Sequence, residues 1–416
     1  MFERRLILCC LLLIFFFNIL SPVYADNSNN GAYPQTTGKS IILIDASSGR
    51  VLYGHNVHQR RPPASVTKIM TALLVIEKGD LDQKVKISSH AAGTPESSVW
   101  LETGETLTRK QLLYALMLNS ANDAAVALAE SIAGSEADFV KLMNLRAQQL
   151  GMKDTHYLNP HGLHASGHYT SAYDLALLSR EALNSEIFRR VVSTKTYHIP
   201  WAGKDYDRLL INHNRLLWRY KYAIGVKTGY TKPAGNCLVG AAQKGSQVLI
   251  AVTLNSKSAW QDVEQMFDYG FAHYHNKTIE QARQISVEVP VQNGQANTVR
   301  VKPETDLTIN VTDKEESRLS YALYPPDKVT APVKKGQTLG YCKILLAGKE
   351  AARVRLLACD TVDAKPSVLT RFKTIAIAVV KFIIKAVVII FLCMYAIRII
   401  NLRRRHRRIA SRRKWK

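Results

Sequence analysis

Ser65 and Lys68 stand three residues apart in the run Pro62-Pro63-Ala64-Ser65-Val66-Thr67-Lys68. The run opens a helical pattern, and on a helix that spacing puts both side chains on one face within contact range. A serine hydroxyl is a weak nucleophile until a neighbour takes its proton, and an amine desolvated by an apolar pocket can take it. The helix N-terminus beneath Ser65 also favours negative charge developing on a bound carbonyl. A second run, Ser120-Ala121-Asn122, falls at a break between two helices. There Ser120 can relay a proton, and Asn122 can hold a substrate amide through both its donor and its acceptor. A third run, Lys227-Thr228-Gly229, is expected at a strand end. It offers a positive charge and a hydroxyl suited to a substrate carboxylate, beside a glycine that lets a ligand approach the backbone. The N–H groups of Tyr230 and Ser65 can together form an oxyanion hole. Each run alone reads more readily as a helix cap with a surface lysine, an inter-helix turn or a strand-edge turn than as a site. Together they occur in order, 52 residues from Lys68 to Ser120 and 105 from Asn122 to Lys227, each in the setting its chemistry needs.

The elements that must position these residues are visible as patterns. After a polar linker, Asp26–Lys39, the apolar run Ser40–Asp45 reads as a strand, and Arg50–Gly54 completes a hairpin through Ala46-Ser-Ser-Gly49. Val66, Ile69, Met70, Leu73 and Leu74 give helical spacing over 64–77. Thr108-x-x-Gln111 is a capping box opening a helix through Leu118, and a second helix spans Asn122–Ala133 until Gly134 stops it. Ser171-x-x-Asp174 opens another through Leu183, and the stripe Phe139, Met143, Leu150 reads as core. Short strands are expected at Gly225–Lys227 and Asn236–Ala242, a continuous apolar one at Val248–Thr253, and a closing helix at Gln261–Tyr274. Past residue 280 the pattern alternates with period two between Gly and Pro turns, the mark of a small β-rich domain.

The two ends set the expected compartment. Of 416 residues, 47% are hydrophobic and 21% charged, a globular composition. The net charge of +23 is concentrated at the C-terminus: residues 398–416 carry ten basic residues and no acid, and residues 26–370 only +8. A basic nucleic-acid groove over the body is thereby excluded. Residues 1–25 combine Arg4 and Arg5, the apolar stretch Leu6–Phe17 and a small-residue end, a secretory signal with cleavage expected near Ala25; a retained anchor is the alternative. Thr374–Ile397 is long enough to span a bilayer, interrupted only by Lys381 and Lys385, and the basic tail after it marks a cytoplasmic side. An amphipathic helix lying on anionic lipid is the other reading of those two lysines. Cys237, Cys342 and Cys359 are too few and too odd in number for a disulfide framework; Cys342 and Cys359 either bridge or stay as buried thiols.

S-x-x-K, S-x-N and K-T-G are the three signatures of the penicillin-binding protein and serine β-lactamase superfamily. Within it the chain resembles the low-molecular-mass D-alanyl-D-alanine carboxypeptidases over residues 38–275. The likeness rests on Ile44-Asp-Ala-Ser-Ser-Gly49, Pro63–Lys68, Leu118–Ala124, Asn159-Pro-His-Gly-Leu163 and Gly225–Tyr230. The resemblance implies an α/β (α+β) transpeptidase/β-lactamase-like catalytic domain, a smaller all-β domain at 280–366, a membrane anchor at 374–397 and a basic cytoplasmic tail at 398–416. It implies removal of the terminal D-alanine from peptidoglycan stem pentapeptides, with Ser65 acylated, Lys68 as base and Ser120 passing a proton to the leaving amine. Asn122, Lys227, Thr228, Gly229 and Tyr230 would bind substrate, Lys227 taking the terminal carboxylate, and penicillins would acylate Ser65. No metal or organic cofactor, and no nucleic acid, is implied. Where many family members carry His after K-T-G, this chain has Tyr230.

Two rivals share the fold. A class A β-lactamase needs a deacylating glutamate in an E-x-x-L-N run, and the nearest match, Glu181-Ala-Leu-Asn184, is one residue short within an amphipathic helix. A D,D-transpeptidase differs only in whether an amine or water accepts the acyl group. A catalytically silent wall-binding scaffold would be expected to lose Ser65, Lys68 or Lys227, and all three are present. His156, His161, His164 and His168 crowd one loop without zinc spacing and read as a polar loop beside the cleft that shapes access. The aromatic and basic stretch Trp201–Tyr222 reads as surface packing, and the β-rich domain as a spacer or partner surface.

Overall fold

Ten consecutive residues, Gln247–Ser256 (β7), are apolar enough to be covered on both faces, and they form the middle of a five-stranded antiparallel sheet. The computed structural model describes residues 33–279, 285–366 and 368–413; the expected signal segment and Lys414–Lys416 lie outside them. On one side of β7 pair β1 (Ser40–Asp45) and then β2 (Val51–His55); on the other pair β6 (Gly235–Lys244) and then β5 (Ala223–Thr231). Alternate residues face opposite layers. Ile41, Leu43, Leu249 and Ala251 pack on the closing helix α7 (Ala259–His273) through Val263, Met266 and Phe267. Ile42, Ile44, Ile250 and Val252 face the larger helical layer.

That layer contains α1 (Lys68–Lys78), α2 (Arg109–Leu118), α3 (Asn122–Ala133), α4 (Glu136–Gln149), α5 (Ala172–Ala182) and α6 (Glu186–Ser193). The capping box at Thr108 forms as expected: Gln111 N donates to Thr108 Oγ1 at 3.2 Å, and Thr108 N donates to Gln111 Oε1 at 2.8 Å. Gly134 ends α3 with φ +82°, the left-handed conformation glycine adopts without cost. The Phe139 and Met143 stripe is buried on α4.

Three boundaries differ from the sequence expectation. Residues Ala64–Thr67 form a single 3₁₀ turn, and the α-helix begins only at Lys68. Lys227 is not at a strand end: β5 runs on to Thr231 because it is one arm of a hairpin, with Lys227 opposite Val239 and Thr231 opposite Gly235. The stretch 196–211 contains a second hairpin, β3 (Thr196–Ile199) with β4 (Arg208–Ile211), whose alternation is masked in sequence by the polar loop it encloses.

The chain from Asn276 onward is a separate unit. Its six-stranded sheet buries Val289, Val299, Val301, Ile344 and Leu356. Cys342 and Cys359 are free thiols, and Cys342 lies in this core. The last helix, α8 (Val368–Arg413), contains 28 residues, Ala376–Arg403, long and apolar enough to cross a membrane.

Arg208 and Glu105 form a buried two-pronged ion pair, Nη1 to Oε1 at 2.6 Å and Nη2 to Oε2 at 2.9 Å. The same guanidinium donates to the carbonyls of Pro200 and Trp100, so it ties two loops together. Glu105→Ala strands that charge, and thermal unfolding of the protein is expected to show a loss of about 3–5 kcal/mol; a change below about 1 kcal/mol contradicts this role.

Candidate active site

Pro62 and Pro63 lead into the 3₁₀ turn, and Ala64 enters it at φ +52°. This conformation is uncommon for a residue with a Cβ and is maintained by the packing around it. Ser65 follows, and Lys68 is the first residue of α1, so the side chains meet with Nζ 3.1 Å from Ser65 Oγ. Lys68 is fully buried. Its Nζ also lies 2.7 Å from Asn122 Oδ1 and 2.6 Å from the His161 carbonyl. Those two oxygens only accept. Asn122 Nδ2 donates to the Pro95 carbonyl at 2.7 Å, which fixes the amide with its oxygen toward Lys68. Burial pushes the Lys68 amine well below its ordinary pKa, and the charge of Lys227 pushes the same way against the weaker pull of Asp123 and Glu96. A neutral amine has two N–H groups and one lone pair. With both N–H groups taken by Asn122 and His161, the lone pair faces the Ser65 hydroxyl.

Ser120 occupies the break between α2 and α3 at φ +59°. The break is held from both sides. His213 N donates to the Leu118 carbonyl at 3.1 Å, and Ile211 N donates to Asn119 Oδ1 at 3.0 Å, tying it to the end of β4. Asp123 at the start of α3 accepts from Ser98 Oγ and from the N–H groups of Val99 and Leu101. Among the described residues Ser120 Oγ has no hydrogen-bond partner.

Strand β5 passes so close to the 3₁₀ turn that a Cβ on Gly229 would stand 2.9 Å from Ser65 N and 3.1 Å from Val66 N. Only glycine allows that approach. Lys227 is buried beneath it, and Nζ donates to the Thr228 carbonyl at 3.1 Å. Burial lowers its pKa to about 7. Among the described residues no carboxylate lies in ion-pair range of Lys227 or Lys68.

A cavity of about 520 Å³ opens over Ser65. Of the eight residues singled out from sequence, Ser65, Ser120, Thr228, Gly229 and Tyr230 line it, Tyr230 at the exposed rim. Lys68, Asn122 and Lys227 lie buried below its floor. Each end of the Asn122 amide has a partner within the protein, Lys68 Nζ at Oδ1 and the Pro95 carbonyl at Nδ2.

The histidine-rich loop is more than an access surface. His156 and His164 are exposed, but His161 and His168 are buried, and the main chain of His161 forms the floor under Lys68. Gly162, at φ +91°, allows this: a Cβ there would overlap the Ala64 carbonyl. His161 is held neutral, its pKa lowered to about 3 by burial and then by the charge of Lys68. Sequence reasoning missed this carbonyl because any residue type supplies one. It also missed Ser97 and His213, which line the cavity from two loops, and Trp260, which lines it from the first turn of α7. Glu181 does not enter the cavity; it accepts from Arg146 Nη2 at 2.6 Å.

Residues 27–258 match the D-alanyl-D-alanine carboxypeptidase family, and residues 274–364 match the C-terminal domain of penicillin-binding protein 5. The chain belongs to the D-alanyl-D-alanine carboxypeptidase family. It is 37% identical to D-alanyl-D-alanine carboxypeptidase DacF of Bacillus subtilis, covering 73% of this chain and 80% of the relative. It is 31% identical to carboxypeptidase DacD of Escherichia coli, over 86% and 95%. Among solved structures it is similar to penicillin-binding protein 5 of Haemophilus influenzae, with TM-score 0.65 and 30% identity over 80% of this chain and 99% of that one. This carboxypeptidase is therefore a serine hydrolase of the penicillin-binding protein family, with a serine acyl-enzyme mechanism, peptidoglycan as substrate and β-lactams as ligands.

The geometry makes Asn122 a positioning residue for the carboxypeptidase. Asn122→Ala frees Lys68 Nζ from one acceptor, and Ser65 acylation by a fluorescent penicillin is expected to slow about 100-fold with the fold retained. Labelling at the wild-type rate contradicts the assignment.

Proposed function

We propose that the carboxypeptidase releases the terminal D-alanine of stem pentapeptides by the following division of labour. Ser65 Oγ attacks the carbonyl carbon of the last peptide bond and gives its proton to the neutral Lys68 amine. The resulting oxyanion is held by the N–H groups of Ser65 and Tyr230. Ser120 passes the proton from Lys68 to the departing amine as the carbon–nitrogen bond breaks. D-alanine leaves, and water then hydrolyses the Ser65 ester. Lys227 and Thr228 take the terminal carboxylate, Gly229 keeps the backbone clear beside Ser65, and Asn122 acts through Lys68. The observation that carries this reading is the Lys68 amine, held by two acceptor-only oxygens so that its third direction meets Ser65 Oγ. The environment of Lys227, a buried amine with no carboxylate in ion-pair range among the described residues, supports the substrate's carboxylate as its partner. The ion pair that holds Glu181 to Arg146 favours a peptidase over a class A β-lactamase. We further propose export through the N-terminal segment and retention at the outer membrane face, in contact with lipid, by α8.

Release of D-alanine from a synthetic pentapeptide tests the assignment, and Ser65→Ala is expected to abolish it. Lys227→Ala should lower kcat/KM about 30- to 100-fold for the free acid and far less for the C-terminal amide. Equal losses would remove Lys227 from carboxylate binding.

The pH dependence follows from the same two lysines. Lys68 must be neutral to act as base, so kcat/KM rises as pH climbs through its lowered pKa. Lys227 must be charged to hold a carboxylate, so kcat/KM for the free acid falls again as pH passes about 7 in the free enzyme. The amidated peptide should show the first limb without the second; a fall on both substrates would contradict it.

A further inference from the structure

A shelf of aromatic rings lies beyond the catalytic machinery. Trp100 is 69% and Tyr206 59% exposed. Trp100 lies parallel to Trp201, with 10° between planes and centroids 6.5 Å apart, and Tyr206 meets Trp201 edge-on at 5.8 Å. Exposed apolar surface of this kind on a soluble domain marks an interaction site. This one is also built. The Arg208 guanidinium lies 4.8 Å from the centre of the Trp201 ring, pairs with buried Glu105, and accepts no freedom in either loop, since it donates to the Trp100 and Pro200 carbonyls. A buried ion pair is thus used to hold one exposed indole, Trp100, and one half-buried indole, Trp201, in fixed orientation, and no step at Ser65 uses it.

We propose that this shelf binds the sugar strand of peptidoglycan, the N-acetylated pyranose units to which the stem peptide is joined. The proposal rests on the stem-peptide reading above. Two observations favour this occupant. Continuity is the first. Ser97 lines the catalytic cavity, and its carbonyl accepts from Asn122 N at 2.7 Å. Trp100 follows three residues later, within about 11 Å of chain, whereas an extended pentapeptide spans about 17 Å. A stem peptide with its last bond at Ser65 is therefore long enough for its sugar end to reach from the cavity to the shelf. Chemistry is the second. The C–H faces of pyranose rings pack flat on aromatic planes, and neutral sugars need no charged partner. The loop between Trp201 and Arg208 carries Lys204 against Asp205 and Asp207, a balance that disfavours an anionic lipid surface.

The test uses the full-length protein in detergent micelles, with a disaccharide-pentapeptide and the same pentapeptide without sugar. Trp201→Ala and Trp100→Ala are each expected to lower the ratio of kcat/KM values, sugar-bearing over sugar-free, about five- to tenfold, chiefly through KM. Trp201→Phe should restore most of that ratio. An unchanged ratio overturns the proposal, including the case where both substrates fall together. A chitin oligosaccharide added to Ser65→Ala protein should quench tryptophan emission saturably, and less so in Ser65→Ala/Trp201→Phe; absence of this quenching also overturns it. If wild-type protein binds the oligosaccharide but cleaves neither peptide, the peptidase reading fails and the shelf stands. Quenching of the Trp100 and Trp201 emission by brominated phosphatidylglycerol in reconstituted vesicles would give the shelf to the bilayer instead.

Discussion

Everything in the catalytic domain depends on the burial of one amine. In water the Lys68 ammonium keeps its proton and cannot serve as a base; inside the protein the charged form is penalised and the neutral form is accessible. Burial alone would leave an apolar lysine with no direction. The Asn122 and His161 oxygens supply the direction by taking two of its three valences. The remaining elements serve to keep those oxygens in place: α3 carries Asn122, the 159–163 loop carries the His161 carbonyl, and Pro95 locks the amide.

A second constraint is the narrow distance between β5 and the 3₁₀ turn. The strand approaches the Ser65 backbone so closely that a side chain at 229 would prevent it, and Thr228 and Tyr230 line the same cavity as Ser65. The sheet makes this approach rigid, because β5 is paired along its length with β6, and β6 with the central β7. Lys227 is thereby held buried, with no carboxylate in ion-pair range among the described residues, which is the setting that supports the proposed contact with a substrate carboxylate. Two lysines buried close together would repel if both were charged. The charge of Lys227 thereby adds to burial in lowering the Lys68 pKa.

Tyr230 stands at the rim, where its side chain is largely exposed while its backbone belongs to the strand. The tyrosine that stands where the resemblance leads one to expect histidine therefore changes the rim of the cavity, not the alignment of Ser65, Lys68 and Lys227. The same distinction separates the aromatic shelf from the catalytic centre: Arg208 and Glu105 hold the loops of Trp100 and Pro200, and the Asn122 and His161 oxygens hold Lys68.

Much of this was legible in the linear chain. Ser65–Lys68 spacing, the break at Ser120 and the Lys227-Thr228-Gly229 run are local patterns, and they needed only a helix start, a turn and a strand to become a site. The helices announced themselves through periodicity and caps such as Thr108 and Ser171, and β1 and β7 through apolar runs, because those signals are written in neighbouring residues. What tertiary structure alone decided was everything carried by atoms common to all residues or by distant partners. The His161 carbonyl, the orientation of the Asn122 amide between Lys68 and Pro95, the continuation of β5 past Lys227 and the pinning of Trp100 and Trp201 by one arginine have no local signature. A side-chain type can be read from sequence, but a hydrogen-bond direction exists only once the chain has closed around it.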